Sequence, residues 1–208
     1  ALTQALVGLL ESLGGRIDTG VHVRHLADLP NGPVLFDTAP KHMVQICGDT
    51  LPSQYGRRIH RYQYGPGLFK LDWALSSPIP WTDPSVAQAA TVHVGGTFDE
   101  IAASERAAWN GEISDAPFVL LTQCSLFDDQ RAPHNQHTAW AYCHIPNGST
   151  KDMSTEIIRQ IERFAPGFQD CIVAQWSTSA PELEAYNPNY LGGDVNGGAP
   201  TVGQLFTR

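Results

Sequence analysis

The sequence predicts an α+β fold: a mixed, mainly antiparallel sheet with helices packed on one face. Three observations carry it. Short runs that alternate apolar and polar, or are continuously apolar, recur along the chain and read as strands. Segments with apolar residues at helical spacing stand among them. Gly, Pro and Asn clusters mark the boundaries. The 208 residues allow one large domain or two small ones. An apolar content of 42%, with five Trp, eight Phe and six Tyr, is ample for a packed core and unlike a disordered chain.

The first element is a helix over residues 2–13. Leu2, Leu6, Leu9, Leu10 and Leu13 lie on one stripe with Ala5, and Gly14-Gly15 stops it. Residues 16–26 alternate like a strand, with Ile17, Val21 and Val23 apolar and a kink at Gly20. Asn31-Gly32 reads as a hairpin turn before a short buried strand, Val34-Leu35-Phe36. A helix is expected over residues 42–48. Beyond residue 50, Leu68 to Leu75 alternates as a strand, and residues 77–84 form a proline-rich turn. A strand over 91–96 leads to a helix over 98–110, capped by Thr97 or Asp99 and stopped by Gly111. Strands are expected over 118–125 and 137–145, with a polar loop over 128–136 between them. A helix over 154–164 turns Ile157, Ile158, Ile161 and Phe164 inward, and a strand follows over 171–178. Residues 180–208, rich in Pro, Asn and Gly, read as an ordered functional loop.

A net charge of −8 with scattered Lys and Arg argues against nucleic acid and against a polybasic membrane anchor. No apolar run approaches the roughly 20 residues that span a bilayer. Residues 1–10 lack the basic start of a signal peptide, so a cytoplasmic location is expected, with a position peripheral to a membrane as the alternative for the parent. Cys47, Cys124, Cys143 and Cys171 are widely spaced and read as free thiols. No metal site is expected. His134, His137 and His144 lack helical ligand spacing, and Cys143 and His144 point to opposite faces of a strand. No Gly-x-Ser-x-Gly elbow marks a hydrolase.

Lys70 and Asp72 share one strand face, either as an ion pair beside a substrate or as a solvated pair. Leu71 and Trp73 on the other face belong to a core. His93 reads as a core or edge histidine. The glycines near Asp194 and Asn196 bring backbone close to a flat ring, or else form tight surface turns. Tyr186 and Tyr190 line an apolar pocket or fasten the loop.

Several motifs carry a resemblance. They are Tyr64-Gly65-Pro66-Gly67-Leu68-Phe69-Lys70-Leu71-Asp72-Trp73-Ala74-Leu75 with Pro78-x-Pro80-Trp81, Thr91-Val92-His93-Val94-Gly95-Gly96 and Arg131-Ala132-Pro133. Further on come Trp140-Ala141-Tyr142-Cys143-His144-Ile145-Pro146, Phe164-Ala165-Pro166-Gly167-Phe168, and the run from Tyr186-Asn187-Pro188-Asn189-Tyr190 through Gly192-Gly193-Asp194 to Asn196-Gly197-Gly198. In this order they resemble the substrate domain of phytoene desaturase-like FAD/NAD(P)-dependent oxidoreductases, over nearly the whole chain. The resemblance implies flavin-mediated hydride transfer on an apolar, polyene or lipid-like small molecule. It implies FAD in the full-length parent and none on this chain alone, which is expected to be inactive by itself. The Gly-x-Gly-x-x-Gly turn that cradles the pyrophosphate is not in the sequence. The expected partner is therefore the FAD-binding domain of the same parent chain, with a C-terminal flavin segment beyond residue 208. The implied division is 1–45 as a remnant of the FAD-binding domain, 46–180 as the substrate-binding domain and 181–208 as a loop returning to the flavin. The implied cofactor contacts are Val23, Gly192, Gly193, Asp194, Asn196, Gly197 and Gly198. Lys70, Asp72, Tyr186 and Tyr190 are the candidate substrate contacts. No catalytic residue is singled out. The alternative is a non-catalytic domain for binding or self-association, including a homo-oligomer.

Overall fold

A computed structural model describes residues 2–206. The chain divides between His60 and Arg61 into two compact units.

In the first unit, helix α1 (Leu2–Ser12) forms where its leucine stripe predicts it, and Gly14 turns the chain out of it with φ +85°. None of its residues is buried. The expected strands over 16–26 and 34–36 do not form. The Asp28 carboxylate instead accepts the backbone N–H groups of Arg24 and His25, both at 2.9 Å, and folds the chain into a short 3-10 turn over Leu26–Asp28. Those two bonds also hold the Asp28 carboxyl below its ordinary range. Leu35 is 95% exposed, so the second apolar run faces water. Helix α2 (Pro40–Cys47) starts on Pro40 at its first turn, where proline suits a helix. It packs against α3 (Ser53–His60). No apolar periodicity in the sequence predicts this helix. Gly56 obscures the pattern, whereas Arg57, Arg58 and His60 suit the negative end of the helix dipole.

The second unit is α+β, as expected. Strands β1 (Gly67–Leu75), β2 (Thr91–Val94), β3 (Val119–Thr122), β4 (His137–Ile145) and β5 (Ile172–Thr178) form one sheet in the order β2-β3-β4-β1-β5. Every pairing among the described residues is antiparallel. Successive side chains alternate between faces. Phe69, Leu71, Trp73 and Leu75 of β1 therefore share one face with Val119, Leu121, Ala139, Ala141, Cys143 and Ile145, all buried. Helix α5 (Ser154–Glu162) lays Ile157 and Ile161 on that face, joined by Met153, Ala165 and Phe168. The Trp73 and Phe168 rings meet edge to face at 5.1 Å.

Helix α4 (Phe98–Trp109) begins with a reciprocal cap: Thr97 N–H donates to the Glu100 carboxylate and Glu100 N–H to the Thr97 hydroxyl. Its Ser104 hydroxyl accepts the Phe118 N–H at 2.9 Å, which fixes the helix to the start of β3. The tail is more ordered than a loop. It contains α6 (Ala180–Tyr186) and α7 (Val202–Leu205). Ser179 donates from backbone and hydroxyl to Glu182 at the start of α6, and this holds the Glu182 carboxyl low. Among the described residues no helix is long and apolar enough to cross a membrane.

Candidate functional site

The second face of the sheet carries a different chemistry. The even-numbered residues of β1 and β4 point there, opposite the core. Pairing aligns them in rows that cross the sheet. One row reads Thr122, Trp140, Asp72, Trp176, and the next reads Leu120, Tyr142, Lys70, Thr178. Asp72 therefore sits between two tryptophans because β1 lies between β4 and β5. Beyond that row Thr138, Ala74 and Ala174 make a floor of small side chains.

Lys70 and Asp72 are bonded as an ion pair, their side chains 31% and 45% exposed. The Lys70 ammonium also stands 5.5 Å from the centre of the Trp140 ring, within cation–π range. Trp140 and Tyr142 lie nearly parallel, 13° apart, with centroids at 6.2 Å. At the far end of β4, His144 Nδ1 bonds the Glu105 carboxylate of α4 at 2.8 Å. Burial, with the nearby Glu105 charge, pushes the Tyr142 phenol above its ordinary range. Trp176, on the outermost strand, is 75% exposed. Around Asp72, Trp140 and Trp176 lies a cavity of about 420 Å³ that Cys124 and Arg131 also line. Arg131 is itself paired with Asp128 at 2.9 Å. A trough walled by Trp140, Asp72 and Trp176, with Arg131 also on its lining, can hold a flat apolar body and orient a polar group on it.

Of the four substrate candidates, Asp72 lines this cavity, and Lys70 is bonded to it without lining the cavity itself. Tyr186 is 85% exposed at the end of α6, and Tyr190 is half-buried before a short 3-10 turn, Leu191–Gly193. Neither lines this cavity.

The tail candidates fold onto residues 62–67. Asp194 is fully buried; its carboxylate accepts Gly65 N–H at 2.7 Å and Asn196 N–H at 2.8 Å. Asn147 donates to the carbonyls of Gly65 and Leu191. A side chain on Gly192 would strike Asn147, one on Gly193 would strike Ala180, and one on Gly198 would strike Tyr62. The Tyr62 hydroxyl donates to the Gly197 carbonyl at 2.8 Å. Gln204 closes the arrangement by bonding both Gln63 N–H and Gln63 C=O. The close approach that glycine permits is thus used inside the protein itself at three positions. Asn196 is exposed, and Gly197 has open space where a side chain would stand. Val23 lies half-buried in the irregular segment of the first unit.

Two further histidines have partners. His137 Nδ1 bonds the Ser125 hydroxyl at 3.2 Å, and His93 lies on the edge strand against Phe118. Among the described residues no three His, Cys, Asp or Glu side chains gather as a metal site. All four cysteines are free. Trp176, Trp140 and Tyr142 were not singled out as site residues from the sequence. The signal for the last two was the run of ring side chains at 140, 142 and 144, one face of a strand.

No protein-family model matches the chain, and no curated protein does either.

Proposed function

We propose that this chain is the substrate-binding portion of an FAD-dependent oxidoreductase resembling the phytoene desaturases. The observation that carries the reading is the two-sided sheet. One face is sealed by α5, and the other offers the Trp140–Asp72–Trp176 row and its cavity. The ordered set of motifs along the sequence supports it independently. FAD, when bound to the parent enzyme, supplies the hydride acceptor. The residues of this chain would enclose the apolar body against Trp140 and Trp176 and exclude water from it. Asp72, with Lys70 bonded to it, would fix its register along the trough. Asn196 and Gly197 are the tail positions open to the ring, while Asp194 shapes the tail that presents them.

The test is to express the chain together with its flanking coding sequence. Flavin absorbance should co-purify, and it should bleach without oxygen when a partly saturated polyene is added. A flavin-free protein, or a flavin that every polyene leaves oxidised, rejects the reading.

A second reading, self-association, is favoured by β5. It is an edge strand without charge or proline, with Val173 and Trp176 exposed. Sedimentation of the purified chain at rising concentration distinguishes it: a dimer lost in Trp176→Lys supports this second reading.

A further inference from the structure

We infer that the second unit carries a further binding site, for a flat, neutral heteroaromatic molecule whose ring holds a hydrogen-bond donor and an acceptor side by side. The site is a cavity of about 490 Å³ at the β2 edge of the sheet, and it shares no lining residue with the trough. Val92 and Val94 pair with Leu121 and Val119, which lie on the core face, so the cavity opens on the side of the sheet away from Asp72. Its walls suit a flat apolar body: Trp81, Val86, Ile101 and Phe164 complete them with the two valines. The walls are also held in place. Trp81 Nε1 donates to the Gln123 side-chain carbonyl at 3.0 Å, and Thr82 N–H donates to the Phe164 carbonyl at 2.9 Å. A preformed cavity of this volume suits one small molecule.

The polar chemistry comes from the edge strand. Residues 92–96 all line the cavity, so it runs along β2. That strand has a single neighbour, β3. In an antiparallel pair alternate residues turn N–H and C=O toward the partner, and those between them turn both groups away. Gln123 N–H donates to the Ala90 carbonyl at 2.9 Å, and the register carries that bonded position on to Val92 and Val94. The N–H and C=O of His93 therefore point away from the sheet. The Gly95 carbonyl, two residues on, points the same way and is taken by Gln160 Nε2 at 3.2 Å. Among the described residues nothing takes the pair at His93. One donor and one acceptor on the same residue match a ring edge that sets a lactam N–H beside its C=O. The charged groups on the lining make no rival claim. Arg163 is paired with Glu100 at 2.9 Å, and Asp83 accepts Ser85 N–H at 2.9 Å in an exposed turn.

The test measures binding to the 208-residue chain by equilibrium dialysis with three bicyclic probes. They are 2-quinolone, N-methyl-2-quinolone, which lacks the donor, and naphthalene, which lacks both groups. The first should bind about tenfold or more tighter than either of the others. His93→Ala keeps both backbone groups and should keep the preference. His93→Pro removes an N–H that no ladder bond uses, a change that an edge strand tolerates. It should bring 2-quinolone to within about threefold of the N-methyl compound. Val86→Trp fills the cavity, leaves the trough untouched and should weaken 2-quinolone about tenfold or more. Five results would overturn the inference: equal binding of 2-quinolone and its N-methyl form, a preference lost in His93→Ala, a preference kept in a folded His93→Pro, binding unchanged by Val86→Trp, or no binding of any probe. Where His93→Pro does not fold, the N-methyl comparison on the unaltered chain and Val86→Trp decide. Neither flavin nor polyene takes part, so the outcome is independent of the flavoprotein reading.

Discussion

Asp194, wholly buried near the end of the chain, accepts the backbone N–H of Gly65, 129 positions earlier, at 2.7 Å. Its carboxylate also takes Asn196 N–H. Without these oxygens the two amides would lose their partner inside the protein. Asp194→Leu should destabilise the second unit by about 3 kcal/mol and Asp194→Asn by about 1 kcal/mol. Urea unfolding followed by tryptophan fluorescence measures both. A loss below about 0.5 kcal/mol for the leucine variant would show that the contact contributes little.

Two glycines should respond in opposite directions to the same change. A methyl on Gly67 meets the Gly192 carbonyl, which is backbone and has little room to retreat. Gly67→Ala should cost about 1–3 kcal/mol. Gly56 lies inside α3 with open space around it, so Gly56→Ala should gain about 0.5–1 kcal/mol in the first unit. Thermal melts of the two variants should move apart in sign.

Thr97 N–H, with the Arg163 guanidinium at 2.9 Å, holds the Glu100 carboxyl below the usual range. A lowered folded-state pKa means that the ionised form favours the folded state. The stabilisation is complete above the ordinary carboxylate value and is lost as pH falls through the lower folded value. Glu100→Ala should melt earlier than the wild type at neutral pH, and the gap should close on acidification. A gap that is constant with pH would dissociate the cap from the charge.

Burial pushes the Cys143 thiol well above its ordinary range, with Glu156 and Glu105 adding to the shift. The thiolate is the reactive form. In the folded protein a chromogenic disulfide should label Cys124 and Cys171, which are half-buried, before the buried Cys47 and Cys143. In urea all four should react alike. Early labelling of Cys143 in the native protein would contradict its place on the core face.

The sheet was legible because its strands carry their own two-residue rhythm. Phe69, Leu71 and Trp73 against Lys70 and Asp72 is such a pattern, and all fall on the faces it predicts. The same rhythm misled at Ile17, Val21 and Val23, because alternation describes a strand only when a neighbour pairs with it. There Asp28 binds the local backbone instead. Helix α6 had a readable start in Ser179-x-x-Glu182, masked by the prolines and asparagines around it. The ion pair was legible from spacing alone. Its tryptophan neighbours were not, because which strands flank β1 is a matter of topology and no local pattern encodes it. Nor does composition reveal that Asp194 lies inside while Asn196 two positions on lies outside.

The clasp that residues 191–199 make with residues 62–67 has a bearing on biosynthesis. Translation lays down β1 before β2 to β5, yet the groups that fasten its beginning emerge from the ribosome only after those four strands. Until then the nascent sheet has one unsecured end, and the long span of that closure slows its formation. A pause or a premature stop before Asp194 would release a chain whose hydrophobic layer is assembled but unlatched, the kind of species that chaperones bind.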